Sequence, residues 1–283
     1  MLKRINWKAV LFVVAWVLCL SGLVTLMSFI SVKKSGQVCR EIKIIIPGTS
    51  SFIDRNDVSQ LVSQNAGTLV GMSMNEINIH AIEKALKSNP YIREARVYGD
   101  MDGVLHLEVD QRQPVLRILN YSNQDFYVDR EGYKIPSSVN YTPNVLVANG
   151  FIMEGFSGRI DTLRTSVAKD LFKAATFMGN DVLWKDQIEQ MYVNEQKEIE
   201  LIPRVGNHKI VLGTADSLDV KLNNLLIFYK KAIPAVGWDA YKTINIKYSN
   251  QIICEKSMSD SNQIKAPAVI APHSDTTKNI EIN

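Results

Sequence analysis

The chain has 283 residues, 46% of them hydrophobic and 22% charged, enough for one or two folded domains. A formal net charge of +3, with no dense Lys/Arg stripe interleaved with aromatics, argues against a nucleic-acid partner. The three cysteines, Cys19, Cys39 and Cys254, include no C-x-x-C pair, which argues against a zinc or dithiol redox site. Cys39 and Cys254 lie near the two ends of the folded region, and either pair or stay as separate thiols.

From Ala9 to Ile30 there is no charged residue. A helix needs roughly 20 apolar residues to cross a bilayer, and this run suffices. Trp7 stands at its start, where an amphipathic ring favours the interface. A cleaved signal peptide has a shorter apolar core of about 7–15 residues and a small-x-small cleavage site, which Ser28-Phe29-Ile30-Ser31 does not match. The residues before Cys19, Ala15-Trp16-Val17-Leu18, lack the small side chains of a lipoprotein cleavage site. The expectation is an uncleaved transmembrane helix over 9–30 behind a short tail, 1–8. Lys3, Arg4 and Lys8 precede it, and Lys33, Lys34, Arg40 and Lys43 follow, so the positive-inside rule leaves orientation open.

A polar linker, 31–37, leads to a first module over 38–111. Ile42, Ile44 and Ile46 alternate with Glu41, Lys43 and Ile45, a strand closed by Pro47-Gly48. Asp54 can cap a helix whose buried stripe is Val58, Leu61 and Val62, with Gly67 as its stop. Asn78 can cap a second helix, with Ile79, Ile82 and Leu86 on one face and Pro90 beyond its end. Two strands, "YIREARVYG" and "VLHLEVDQ", are joined by a turn carrying Asp102-Gly103, a hairpin signal. The order is β-α-α-β-β, a two-layer α+β module.

The pattern changes after Gln111, and a second module, 112–256, is expected. Pro114 opens the strand "PVLRIL", a position where a missing N–H costs least. Phe126–Val128 and Tyr133–Ile135 form a hairpin around Asp129–Gly132. A helix is expected over 160–178. "QIEQMYVN", "EIELIPR" and "HKIVLG" read as strands, a second helix covers 218–231, and "TINIKYS" and "QIICEK" close the module as a hairpin. This gives a mostly antiparallel β domain with two helices. The polar tail, 257–283, with Pro267 and Pro272, is expected to be disordered.

No catalytic constellation emerges. His80, His106, His208 and His273 lie on different elements without ligand spacing, and His106 and His208 read as exposed. There is no G-x-S-x-G, no H-E-x-x-H and no glycine-rich phosphate loop. The expectation is a non-enzyme with no cofactor, no metal and no small-molecule substrate. An anchor with two small modules points instead to binding, and a sheet edge is the natural surface, because its free N–H and C=O groups can pair with a partner's strand. The last strand is the candidate; an interior strand with both edges filled is the other reading. The charged stretch Asp110-Gln111-Arg112-Gln113 before Pro114 reads as the joint between modules, with Arg112 positioned to bridge them through its planar fork of donors.

The order of elements resembles the bacterial cell-division family FtsQ/DivIB. The likeness is carried by "NPYIREARVYG" (P-x-V-x-x-A-x-V in the family), "LHLEVDQRQPV" (L-x-I-x-V-x-E-R-x-P), "YVDREGYKI" (D-x-x-G), "KIVLGTADSLDVKLNNL" (LG…K-L) and "INIKYSN" (D-L-R-Y). Gln111 replaces the family's acidic residue, Met101-Asp102-Gly103 its Trp-Pro hairpin, and Asn245 and Lys247 its Asp and Arg. The resemblance implies a POTRA domain over 38–111 and a β domain over 112–256, both outside the cytoplasm. It also implies a non-catalytic divisome scaffold at the septum. The implied partners are FtsB- and FtsL-like proteins, with FtsK-like and FtsW-like proteins as further candidates. In relatives, FtsB adds a strand at the last strand of the β domain, which implies contacts at Tyr248, Asn250, Ile252, Ile253, Cys254 and Lys256; an aromatic residue usually stands where Lys256 does. The runner-up function is a POTRA-bearing assembly factor for outer-membrane or secreted chains.

Overall fold

Alternation over Val104–Gln111 places Leu105, Leu107 and Val109 fully in the core while His106, Glu108 and Asp110 stay half-buried. The computed structural model describes residues 7–35, 37–48 and 52–257, and the chain divides into two units after Gln111. The expected tail lies outside the described residues.

Helix α1 (Trp7–Ser35) continues past Ile30 into the stretch expected as a linker, since Ser31 to Lys34 contain no helix breaker. Along it, side chains are described only over 11–27, where the apolar ones are largely exposed. Among the described residues, which in α1 include side chains only over 11–27, no helix is long and apolar enough to cross a membrane.

The rest of the first unit is β1 (Glu41–Ile45), α2 (Arg55–Ala66), α3 (Ile79–Lys87), β2 (Ile92–Gly99) and β3 (Val104–Gln111). The sheet order is β1-β3-β2, with β1 parallel and β2 antiparallel to β3. A capping box starts α2: Asp54 accepts from the Asp57 N–H at 2.8 Å, and Asp57 accepts from the Asp54 N–H at 2.9 Å. Val58, Val62, Ile82 and Leu86 are buried in the unit's core. Buried Gln111 pins the chain before α2, accepting from the Phe52 N–H at 3.0 Å and donating to the Ile53 carbonyl at 3.1 Å.

The second unit holds a ten-stranded sheet. Its strands are β4 (Pro114–Leu119), β5 (Asp125–Asp129), β6 (Tyr133–Pro136), β7 (Leu146–Gly150), β8 (Asp161–Thr162), β9 (Ile188–Val193), β10 (Ile199–Pro203), β11 (Lys209–Gly213), β12 (Tyr241–Asn245) and β13 (Ile253–Lys256). The order is β13-β12-β11-β10-β9-β7-β4-β5-β6-β8. Pairing is antiparallel except at β4/β7, β7/β9 and β11/β12. Helices α4 (Ser166–Asn180), α5 (Val182–Gln187), α6 (Leu218–Lys231) and α7 (Ile233–Val236) accompany it, four among the described residues where two were expected. Leu171, Ala174 and Met178 of α4, and Leu222 and Leu225 of α6, share one core with Leu116, Ile118, Leu201 and Ile210 of the sheet.

Three expectations are corrected. The helix placed over 160–178 starts at Ser166, because Thr165 caps it, accepting from the Ala168 N–H, and Asp161-Thr162 pairs with β6 instead. His208 is buried, not exposed: its Nε2 lies 2.7 Å from the Tyr229 hydroxyl, and its ring stacks on Trp238. His106 is half-buried, 2.9 Å from Asp100 and stacked on Tyr98. Cys39 and Cys254 are free thiols.

Candidate partner-binding edge

β13 occupies one end of the ten-stranded sheet, paired on one side with β12. Side chains alternate along it: Ile252 and Cys254 pack against the core, while Ile253 and Glu255 face away. Burial holds the Cys254 thiol up at about 11, so it stays neutral and serves as a small apolar group.

The hydrogen-bond parity of this edge follows from its neighbours. The Ile246 N–H donates to the Val211 carbonyl at 2.9 Å. With the register Lys209↔Thr243 and Val211↔Asn245, that bond commits Ile244 and Ile246 to β11, on the near side of the register shift between Thr243 and Tyr241. Thr243 and Asn245 are left to bond β13, and their partners are Glu255 and Ile253. The Ser257 N–H continues this inward set, donating to the Ala240 carbonyl at 3.1 Å. Ile252, Cys254 and Lys256 therefore turn their backbone groups to the outer edge, which is unpaired among the described residues.

The sequence-derived contact residues gather here. Tyr248 is 46% exposed with the Lys247 ammonium 6.0 Å from its ring centre, and Lys247 also bonds Glu198. Asn224 donates to the Ser249 carbonyl at 2.8 Å, tying the approach to β13 to helix α6. Asn250 is exposed beside it, and Ile253 is 47% exposed. Lys256 lies opposite Tyr241 with its side chain in solvent, so it offers charge where the family places a ring. Glu255 accepts from the Thr243 hydroxyl at 3.1 Å and sits 3.8 Å from Lys242.

Arg112 and Pro114 belong to the second unit. Arg112 Nη1 donates to Asp129 at 2.6 Å, and its guanidinium lies 5.0 Å from the centre of the Tyr133 ring. Asp129 also accepts from the Glu131 and Tyr133 N–H groups, so one buried carboxylate holds both Arg112 and the β5–β6 turn. This accounts for Asp129 and Gly132 in "YVDREGYKI" without any chemistry. Pro114 precedes the residues of β4 that pair with β7.

One cluster was missed in the sequence. Buried Lys134 on β6 lies 2.8 Å from buried Glu154, which also accepts from the Arg164 and Thr165 N–H groups and the Thr165 hydroxyl. These side chains line a cavity of about 430 Å³ with Gln124, Asp161 and Arg164. Burial raises the Glu154 carboxyl, but Lys134 and the Thr165 and Arg164 donors outweigh it and hold it below the usual range. The available signal was Lys134 itself, a cation set beside Ile135 in a strand without an evident partner. Among the described residues no group of three or more His, Cys, Asp or Glu could hold a metal.

A POTRA-like domain model matches residues 37–110. A second family model, FtsQ/DivIB, C-terminal related, matches residues 113–255, half of the chain. The chain belongs to the FtsQ/DivIB family. Among curated FtsQ/DivIB proteins it is 26% identical over 103 residues to a cell division protein FtsQ of Rickettsia bellii, a match covering 36% of each chain. It is 25% identical over 117 residues to that of Rickettsia felis, covering 41% of this chain and 42% of the relative. These matches thus span well under half the length of the relatives. Within the FtsQ/DivIB match, the C-terminal boundary at Glu255 takes in nearly all of β13.

Proposed function

We propose that this chain is a membrane-anchored, non-catalytic scaffold of the division machinery that takes a partner's strand on β13. The supporting observation is the parity of that edge: Cys254 and its neighbours two residues away aim their backbone groups outward at the end of a sheet lying in the FtsQ/DivIB-matched segment. An FtsB-like chain supplies the added strand, with an FtsL-like chain beside it, and Tyr248, Asn250 and Ile253 frame the contact. FtsK-like and FtsW-like proteins are further partners. The anchor is α1: its uncharged stretch from Ala9 to Ile30, at ~1.5 Å per residue, covers the ~30 Å hydrocarbon core. The N-terminus then lies in the cytoplasm, both units lie across the inner membrane, and the protein gathers at the septum. Arg112 and Pro114 mark the joint at which the second unit begins. The match over the second unit favours this reading over an outer-membrane assembly factor.

The test uses proline, which removes a backbone N–H. Cys254→Pro and Lys256→Pro delete outward donors, whereas Glu255→Pro deletes one that bonds β12. Lys256→Pro, with an exposed side chain, is expected to leave the unfolding temperature near wild type and to lower recovery of FtsB- and FtsL-like partners several-fold. Glu255→Pro is expected to destabilise the unit. Undiminished co-purification with both outward variants would remove strand addition from the mechanism.

A further inference from the structure

Outside α1, the exposed large apolar side chains of the first unit, among the described residues, are Val38, Val70, Met72, Tyr98 and Met101. They share one end of the unit. The Cys39 N–H donates to the Met72 carbonyl at 2.8 Å and the Gly71 N–H to the Cys39 carbonyl at 2.7 Å. The Met74 N–H donates to the Gln37 carbonyl at 2.9 Å, and the Arg40 N–H to the Gly103 carbonyl at 2.8 Å. Gln37 also donates through its side chain to the Met101 carbonyl. Residues 37–40 are thus clamped between the loop before α3 and the β2–β3 turn. The closeness is built in: Gly103 has φ +84°, and a Cβ there would meet the Val38 carbonyl oxygen at 2.6 Å.

Met101 is 89% exposed and Val70 52%. A soluble surface seldom gathers its apolar side chains at one end without a partner for them. The chain itself names the partner. Gln37 follows the last residue of α1, Ser35, by two positions, so at most ~7 Å of backbone separates them. The apolar end of the unit is therefore the end from which the chain enters α1. Charge agrees in part. Arg40 lies in the clamped segment and Lys33-Lys34 just before it in sequence, cations suited to an anionic headgroup layer. Asp100 turns its carboxylate to its own turn, accepting from the Asp102 and Val104 N–H groups at 2.9 Å; Asp102 is exposed and opposes such a surface.

We propose that Val38, Val70, Met72 and Met101 rest in the interfacial layer of the bilayer that α1 enters, so that the first unit sits on the lipid surface. This inference rests on α1 being an anchor. It adds a lipid contact to the protein contacts of the second unit.

The experiment places a photo-reactive benzoyl-phenylalanine at one position at a time in the full chain, reconstituted in vesicles of phosphatidylethanolamine and phosphatidylglycerol. The positions are Leu18 in α1, Met101 at the apolar end, and Lys87 at the opposite end of the unit, exposed at the close of α3. Adducts are identified by mass. The expected result is lipid adducts at Leu18 and Met101, with a several-fold excess at Met101 over Lys87. Lipid adducts at Leu18 with none at Met101, equal yields at Met101 and Lys87, or adducts at Met101 only with a second copy of the chain would overturn the inference and leave the anchor standing. Absence of lipid adducts at Leu18 would overturn the anchor, and the inference with it.

Discussion

The two flanks of the ten-stranded sheet are held by different chemistry. The flank β4-β5-β6-β8 carries two ion pairs with both partners buried: Arg112 with Asp129 and Lys134 with Glu154. The flank β10 to β13 is held by rings. His208 meets Tyr229 and Trp238, the Tyr229 and Trp238 centroids lie 5.2 Å apart, and Phe228 and Tyr241 lie 5.4 Å apart. Its buried cation, Lys221, pairs with an exposed carboxylate, Asp216. The first flank ends in β8, two residues long, which few ladder bonds can secure. There, Glu154 and Lys134 fasten the loop that carries β8. The second flank ends in β13, whose own side chains are mostly exposed and whose outer edge is unpaired among the described residues. Buried ions stand where the chain needs one fixed arrangement, and the open edge stands where rings and alternation suffice.

The largest expected effect comes from breaking the β8 flank. Glu154→Ala leaves the almost fully buried Lys134 ammonium with only the Gly155 carbonyl at 2.9 Å and the Asp161 carboxylate at 3.7 Å, and leaves the Arg164 and Thr165 N–H groups without their acceptor. Removing one partner of a buried pair costs about 3–5 kcal/mol. The urea midpoint should fall accordingly. Adding Lys134→Met should recover part of that loss, because the buried ammonium that has lost its nearest carboxylate is then gone. A Glu154→Ala protein within about 1 kcal/mol of wild type would mean that this flank is held by its apolar core alone.

Periodicity made one class of feature legible and hid another. Alternation located β3, the turn through Asp129–Gly132 located β5 and β6, and the stripe Leu222, Leu225 and Tyr229 located α6 (Leu218–Lys231) at its observed bounds. β7 escaped because "LVANG" shows no polar–apolar alternation: Leu146, Val147, Asn149 and Gly150 are all half-buried around buried Ala148. The start of α4 depends on Glu154, ten and eleven residues upstream of the N–H groups it accepts from. His208 looked exposed because a glycine turn precedes it, yet Tyr229 and Trp238, both distant in sequence, close over it. Ile253 was legible as a candidate because the final hairpin is local, whereas Tyr248 entered only through the family resemblance. That the backbone groups of Cys254, rather than those of Ile253, turn to the outer edge needed the bond from Ile246 to Val211, which no local pattern reveals.

A smaller effect is expected at the other ion pair. Arg112→Ala leaves Asp129 buried, but that carboxylate keeps the Glu131 and Tyr133 N–H groups. The cost should fall at or just below the low end of the range for a broken buried pair, about 3 kcal/mol. Arg112→Lys keeps the charge but loses the planar group over Tyr133, and should recover only part. If Arg112→Ala cost as much as Glu154→Ala, the backbone donors around Asp129 would count for little, and the contrast within this flank would collapse.

The smallest effect tests the aromatic flank. Burial lowers the His208 pKa below its ordinary 6.5, only partly offset by the Trp238 backbone and Asp239. Its Nδ1 makes no well-formed hydrogen bond among the described residues. The unfolded chain therefore binds the proton more readily than the folded one. Stability is full above about pH 6.5 and falls as the pH drops toward the folded value, with a slope of at most about 1.4 kcal/mol per pH unit for one proton. His208→Phe keeps a ring between Tyr229 and Trp238 and removes the titration. Its urea midpoint should then change less than wild type between pH 7 and pH 5.5, while Glu154→Ala should retain the wild-type slope from this histidine. Equal pH slopes in wild type and His208→Phe would show that protonation of the ring flank does not weaken it.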